Sequence, residues 1–281
     1  MSVLILVRHG QATFGMGTYD RLSDHGQAQA RRLGEVLNLR GVKVDRIVSG
    51  DLDRQRETAE ILSSSLGGRP TAIDPAWNEY DHMPLIARVK PMYRKHWLMV
   101  ADLARTGNPN RRLQEIIDKA LLHWVAQDAR PEDAATALRL AAQVDAGDDE
   151  GPDEAAQAVI DPRDGSVVRR PPAGDHELDL PAAPAGDGVE TFTQYNDRIT
   201  AALDATSQQS GTTLVVSSAG TIAAAIAPLI GIPSHRWPGL HRVMVNTSVT
   251  KVVRGQRGIS LISFNDHGHL EGAPGVKVTY R

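Results

Sequence analysis

Four short polar runs in this 281-residue sequence bring together residue types that can hold an anion and move a proton. Arg8-His9-Gly10-Gln11 follows the apolar run Val3–Val7, so a cation, an imidazole and backbone amides converge where a buried strand ends. Composition makes one Arg-His-Gly in a chain of this length roughly an 8% event, so its position rather than the tripeptide carries the signal. A histidine in a surface turn is the plain alternative. Ser49-Gly-Asp-Leu-Asp-Arg54 puts an arginine in the first turn of a helix. The macrodipole disfavours a cation there, and a bound anion removes that penalty. Pairing of Arg54 with Asp51 or Glu57 is the competing explanation. Trp77-Asn-Glu-Tyr-Asp-His82 is a polar loop with three titratable groups, in which Glu79 is either a general acid or simply solvated. Val215–Thr221 ends in Ser217, Ser218, Ala219 and Gly220, small residues that let backbone N–H groups approach a phosphate or that merely make a tight turn.

These runs need elements to position them. Val3–Val7, Val44–Val48, Thr71–Ile73 and Thr213–Ser217 read as strands, and Val249–Val253 and Ile259–Phe264 as two more. Helices are expected from Ser23 or Asp24 with Ala30, Leu33 and Leu37 on one face, and after Asp51/Asp53 with Ala59, Ile61 and Leu62. Two more are expected over Phe192–Leu203 and Thr221–Ile230. From Pro91 to about Val144 the pattern is helical without interposed strands, which reads as a cap on a sheet. The expected fold is α/β, a three-layer sandwich with a mostly parallel central sheet and a helical cap insertion. It forms one domain over 1–281, with the cap at 83–143 and an acidic Pro/Gly-rich mobile insert at 144–187. Ligand sites in such sheets lie at the carboxyl ends of the strands, where all four runs fall.

The net charge of −3 conceals a division. Val144–Glu190 holds 13 acidic residues against three Arg and no Lys, a net −10, so the rest of the chain carries +7. That stretch has no aromatic residue and is too poor in apolar surface to offset its ordering entropy. Ala158–Val168 is the exception, with two β-branched runs around a Pro and an Asp-Gly turn that suit a small hairpin. The absence of cysteine removes disulfides, thiolate metal sites and thiol nucleophiles. Val3–Val7 is too short for a signal or a membrane span, so the expected location is cytoplasmic, with no membrane partner. No basic stripe interleaved with aromatics points to nucleic acid. Oligomeric state is not legible.

Leu4-Ile-Leu-Val-Arg-His-Gly-Gln11 resembles the signature of the histidine phosphatase superfamily, the phosphoglycerate mutase-like family. Ser49–Ala59 looks like its second arginine motif, and Leu22–Ala30 resembles the intervening helix entry. Gly188–Phe192 and Asn246–Val249 resemble late segments, so the likeness covers roughly residues 1–82 and 188–265. It implies a metal-independent reaction without a cofactor. His9 attacks phosphorus, Arg8 and Arg54 hold the phosphoryl oxygens, and Glu79 protonates the leaving oxygen. Gln11, Ser218 and Ala219 complete the expected phosphate pocket, and the expected partner is a small phosphorylated substrate. His267-Gly-His269 is the nearest approach to a metal motif and is read as surface.

One departure matters. The family's fourth strand usually ends in a second histidine followed by glycine, and here those residues are Ser218 and Ala219. Losing one donor aimed at transition-state charge costs about 2.7–4 kcal/mol, which impairs such an enzyme without abolishing it. His82 or His241 is a candidate substitute, and Ser218→His is expected to raise turnover if Ala219 leaves space. The resemblance therefore leaves open a phosphatase, a phosphate-binding scaffold that has lost turnover and, less favoured, a mutase.

Overall fold

The computed structural model describes residues 1–13, 20–129, 131–146, 159–160, 167–168 and 188–280. In chain order its elements are β1 (Ser2–Arg8), α1 (Asp24–Leu39), β2 (Arg46–Ser49), α2 (Asp53–Ser65), β3 (Thr71–Ile73), α3 (His82–Val89), α4 (His96–Leu103), α5 (Pro109–Asp128) and α6 (Pro131–Ala146). They continue with β4 (Val159–Ile160), β5 (Val167–Val168), α7 (Phe192–Gln208), β6 (Gly211–Ser217), α8 (Ala219–Ile226), α9 (Trp237–Arg242), β7 (Val249–Gly255) and β8 (Gly258–Asp266). They fall into two compact units, Met1–Asp81 with Glu190–Arg281, and His82–Val189.

The first unit is built on a six-stranded sheet in the order β3-β2-β6-β1-β7-β8. β3, β2, β6 and β1 run parallel, while β7 is antiparallel to β1 and β8 to β7. The mostly parallel α/β sheet expected from the sequence is present. Leu4, Ile5, Leu6 and Val7 are all buried, as a central strand covered on both faces requires. On one face Leu33 and Leu37 of α1 meet Ala59 and Leu62 of α2 over Ile5, Val7, Ile47, Leu214 and Val216. Alternation turns Leu4, Leu6 and Val215 to the other face, where α7 and α8 pack against β1. Burying each such side chain contributes at most about 1.5–3 kcal/mol, so the central strands form a firm floor for whatever their ends carry.

Two local features fix where the strand ends point. Ser23 caps α1, its Oγ accepting from Gly26 N at 3.0 Å. A Cβ on Gly10 would lie 2.4 Å from Gly26 O, and one on Gly26 2.1 Å from Gln11 O, so two glycines let α1 start against the end of β1. The start of α2 departs from expectation. Its N-cap residue is Leu52, not Asp51 or Asp53, and a leucine side chain cannot accept a hydrogen bond. The carboxylate at this helix start comes from Asp20, whose Oδ2 accepts from Asp53 N at 2.6 Å. Asp51 instead pairs with Arg56 at 3.3 Å.

In the second unit Leu113, Ile116, Ala120, Leu121 and Trp124 of α5 are among its buried residues, and α6 packs on that helix. Tyr93 is fully buried and donates to Asp102 Oδ2 at 2.6 Å, and Lys90 Nζ reaches the same oxygen at 2.5 Å. β4 and β5 pair antiparallel, Val159 with Val168 and Ile160 with Val167, as the expected hairpin requires. The rest of the acidic stretch between residues 147 and 187 lies outside the described residues.

Candidate active site

The carboxyl ends of β1 and β6 lie side by side, the ladder pairing Arg8 with Ser217. His9 N then donates to Ser217 O at 2.9 Å, and the segment after His9 is held from the β7 side. There Asn246 Nδ2 donates to His9 O at 3.2 Å, and Thr247 N donates to Arg8 O at 3.0 Å. Thr247 takes a left-handed backbone (φ 58°), unusual for a β-branched residue. It is held there by buried partners. Its hydroxyl proton goes to Asn246 O at 2.7 Å, so His269 Nε2–H donates to Thr247 Oγ1 at 3.0 Å. Burial pulls the His269 imidazole down to about 4, which suits a neutral donor.

His9 itself is buried, and Nδ1 lies 2.7 Å from its neighbour's carbonyl, Gly10 O. A carbonyl only accepts, so the proton is on Nδ1 and Nε2 presents a bare lone pair. Arg54 Nε donates to that Nε2 at 3.1 Å. Desolvation first, then the charges of Arg54 and Arg8, hold the imidazole well below its ordinary 6.5, against the opposing pull of the Gly10 bond. At neutral pH the ring is therefore uncharged and nucleophilic at Nε2.

The other expected site residues are distributed around this ring. Arg54 Nη1 forms an ion pair with Asp20 Oδ1, so its planar fork spans two partners at once. Neither Asp51 nor Glu57 is that partner, since Glu57 pairs with Arg21 at 2.6 Å. Arg8 turns to the β7 side, its Nη1 donating to Met244 O and, at 2.9 Å, to Tyr280 O. It acts on His9 through its charge. Gln11 joins the start of α1, its Oε1 accepting from Ser23 Oγ at 3.1 Å. Ser218 and Ala219 open α8 beside the β1 terminus, both buried.

Glu79 sits at the start of α8 in a nest of donors. Tyr195 Oη donates to Oε1 at 2.8 Å, Gly220 N to Oε2 at 2.9 Å and Tyr80 N to Oε1 at 3.3 Å. Burial nevertheless raises the carboxyl above its ordinary 4.5, with these bonds and the Arg54 charge opposing. Both Glu79 and His9 thus lie within the field of Arg54. The loop carrying Glu79 is tied down on two sides. Ser217 Oγ donates to Trp77 O at 2.6 Å, and Arg198 Nη1 reaches Ala76 O at 2.8 Å while its fork holds Glu190 at 2.7–2.8 Å.

Sequence reasoning missed Asp20, Gln55, Tyr195 and Arg198. Asp20 carries no local signal, since its partners lie more than thirty residues away. Tyr195 falls on the apolar stripe of α7 with Ile199 and Ala202 and reads as core. Of the histidines considered as substitutes at position 218, His241 stacks on Trp237, with centroids 5.6 Å apart. His269 is buried rather than on the surface, donating to Thr247, while His267 donates to Asn265 O at 2.8 Å.

The model of the histidine phosphatase superfamily (branch 1) matches residues 4–110 and 110–267. A 2,3-bisphosphoglycerate-dependent phosphoglycerate mutase of Xanthobacter autotrophicus is 33% identical over 103 residues, 34% of this chain and 50% of that protein. A phosphoglycerate mutase of Candida albicans is 42% identical over 83 residues, 27% of this chain and 34% of that protein. The chain thus spans half or less of the length of these curated relatives. Among solved structures, Bacillus stearothermophilus YhfR superimposes with a TM-score of 0.56 at 17% identity, over 96% of this chain and 100% of that one. Phosphoserine phosphatase of Entamoeba histolytica, in complex with 3-phosphoglyceric acid, gives 0.54 at 16% over the same shares. These two likenesses are likenesses of fold.

Proposed function

Because the chain belongs to the histidine phosphatase superfamily, we propose that it hydrolyses a small phosphomonoester without a metal, through a phosphohistidine at His9. The observation that carries this reading is the Gly10 carbonyl 2.7 Å from His9 Nδ1, which keeps Nε2 unprotonated, so that its lone pair attacks phosphorus once the Arg54 guanidinium turns its donors to the phosphoryl oxygens. As the Nε2–P bond forms, the ester P–O bond breaks, and the leaving oxygen takes the proton of Glu79. Glu79 suits that role because burial raises its affinity for a proton. Water then attacks the phosphohistidine, Glu79 recovers a proton from it, and Nε2 departs with its lone pair restored. Arg54 holds the phosphoryl oxygens beside Nε2 and stabilises their developing charge, Arg8 adds positive field from behind, and Ser218 is a neutral donor.

The decisive experiment incubates wild-type protein and His9→Ala with an aryl phosphate and probes for an acid-labile phosphoprotein. His9-dependent turnover with phosphate on His9 supports the hydrolase. No turnover and no phosphoprotein, with orthovanadate still bound, makes the protein a phosphate-binding scaffold instead. A mutase is less well supported, since it needs a phosphohistidine that outlives reorientation of its product, and Ser218 brings no charge to hold one.

A further inference from the structure

The first turn of α2 supplies two side chains to the site. Arg54 reaches His9 at the end of β1, and its neighbour Gln55 reaches Ser218 at the end of β6. Gln55 is fully buried, and its amide has one possible orientation. Nε2 faces Trp77 O at 3.4 Å, which only accepts, and Oε1 faces Leu52 N at 3.4 Å, which only donates. The site is built around this amide. A Cβ on Gly50 would lie 2.0 Å from Gln55 Oε1, so the glycine makes room for it.

The consequence falls on Ser218. Nε2 of Gln55 donates to Ser218 Oγ at 2.9 Å, so the hydroxyl accepts there and its own proton must go elsewhere. Ser218 is 2% exposed, and no described residue accepts that proton. Although Ser218 is the N-cap residue of α8, its side chain makes no capping bond. Its backbone is still extended (φ −112°, ψ 166°), so it continues the parallel register one step past the Arg8–Ser217 pair and lies beside His9.

We propose that Gln55 is a positioning residue that fixes the Ser218 hydroxyl as a one-way donor into the space beside His9, where it binds an oxygen of the phosphoryl group. The proposal rests on the phosphoryl-transfer reading of the site and names how the donor at position 218 is aimed. Gln55 touches no reacting atom. It acts by occupying one lone pair of Ser218 Oγ, which turns the hydroxyl proton away from the amide.

The test is a double-mutant cycle of Gln55→Met and Ser218→Ala, read both as aryl phosphatase kinetics and as orthovanadate affinity. Each single variant is expected to lower kcat about tenfold, with a smaller change in KM, and to weaken vanadate by a similar factor. The double variant is expected to be no worse than Ser218→Ala alone. If instead the two losses multiply, or Gln55→Met matches wild type in both readouts, Gln55 does not act through Ser218 and the proposal fails. Gln55→Ala replaces Gln55→Met if the latter does not fold, as judged by circular dichroism. Wild-type protein that binds vanadate but shows no His9-dependent turnover defeats the hydrolase reading alone, and the vanadate cycle then decides the role of Gln55. Wild-type protein that binds no vanadate overturns both.

Discussion

Tyr195→Phe isolates one contributor to the chemistry of Glu79. The Tyr195 hydroxyl donates to Glu79 Oε1 at 2.8 Å, the shortest of the bonds that carboxyl receives. A hydrogen bond to a charged group is worth about 1.5–3 kcal/mol. Its loss removes that stabilisation from the carboxylate and raises the Glu79 pKa further. The sign follows from the charge, since the bond favours the carboxylate and opposes the upward push of burial. Removing it keeps the proton on Glu79 to higher pH. Thr221 Oγ1, 3.4 Å from the same oxygen, can turn in to replace part of the bond, which favours the lower figure. Phenylalanine keeps the edge contacts of the ring with Tyr80 and Trp237, centroids 5.7 and 6.2 Å away, so the core is preserved. The assay is kcat/KM against pH with the phosphate of an unactivated alcohol, because an alkoxide, unlike nitrophenolate, cannot leave without a proton. The falling limb should move alkaline, while the rising limb, set by His9 below 6.5, stays in place. A falling limb that stays put or moves acid refutes Glu79 as the general acid governed by Tyr195.

Other variants probe separate parts of the molecule. Arg54→Lys keeps the charge but loses the fork that spans His9 and Asp20, and should cost about 10²–10³ in kcat at unchanged thermal stability; a loss below threefold would remove Arg54 from the transition state. Gly220→Ala sets a Cβ 2.5 Å from Glu79 Oε1 and 2.8 Å from the Tyr80 ring. It should destabilise by about 1–3 kcal/mol in urea unfolding and lower kcat more than it raises KM, whereas a silent substitution would contradict the packing around Glu79. Tyr93→Phe removes the hydroxyl from Asp102 in the second unit, a bond to a charged group whose loss should cost about 1.5 kcal/mol of stability at neutral pH, the low end because that carboxylate is partly exposed, with turnover unchanged. Lys90 first and Tyr93 second hold Asp102 below its ordinary 3.8, so their stabilisation is lost as pH falls through that range and the variant should converge on wild type there.

What could be read from the sequence was what depends on local pattern. Val3–Val7 and Leu214–Val216 are uninterrupted apolar runs of β-favouring residues, as strands covered on both faces require. His9 stands out where an apolar run ends, Arg54 as a cation in the first turn of a helix, and Glu79 in a polar loop that follows a strand. Contacts across the chain were hidden. The carboxylate at the start of α2 comes from Asp20, and nothing near Asp53 indicates it. The expectation for Ser218→His assumed open space past Ala219, but the Gln55 amide lies 2.9 Å from Ser218 Oγ, and a ring there has first to displace it. Gln55 carries no signal of its own in the sequence, since a glutamine in a first helical turn is ordinarily solvated. Only the meeting of α2 with the end of β6 buries it.

β1 is paired along its whole length by β6 on one side and β7 on the other, and His9 N extends the β6 ladder by one bond. Such a strand sheds its amide protons only when the entire sheet opens. The amides of Leu4–Val7 should therefore exchange with solvent deuterium at the slowest rate in the molecule. Thermal breathing cannot then loosen the nucleophile on its own. Any adaptation of this site to a differently shaped ester has to come from the groups that face His9, while the backbone that carries the imidazole keeps its place for as long as the sheet remains folded.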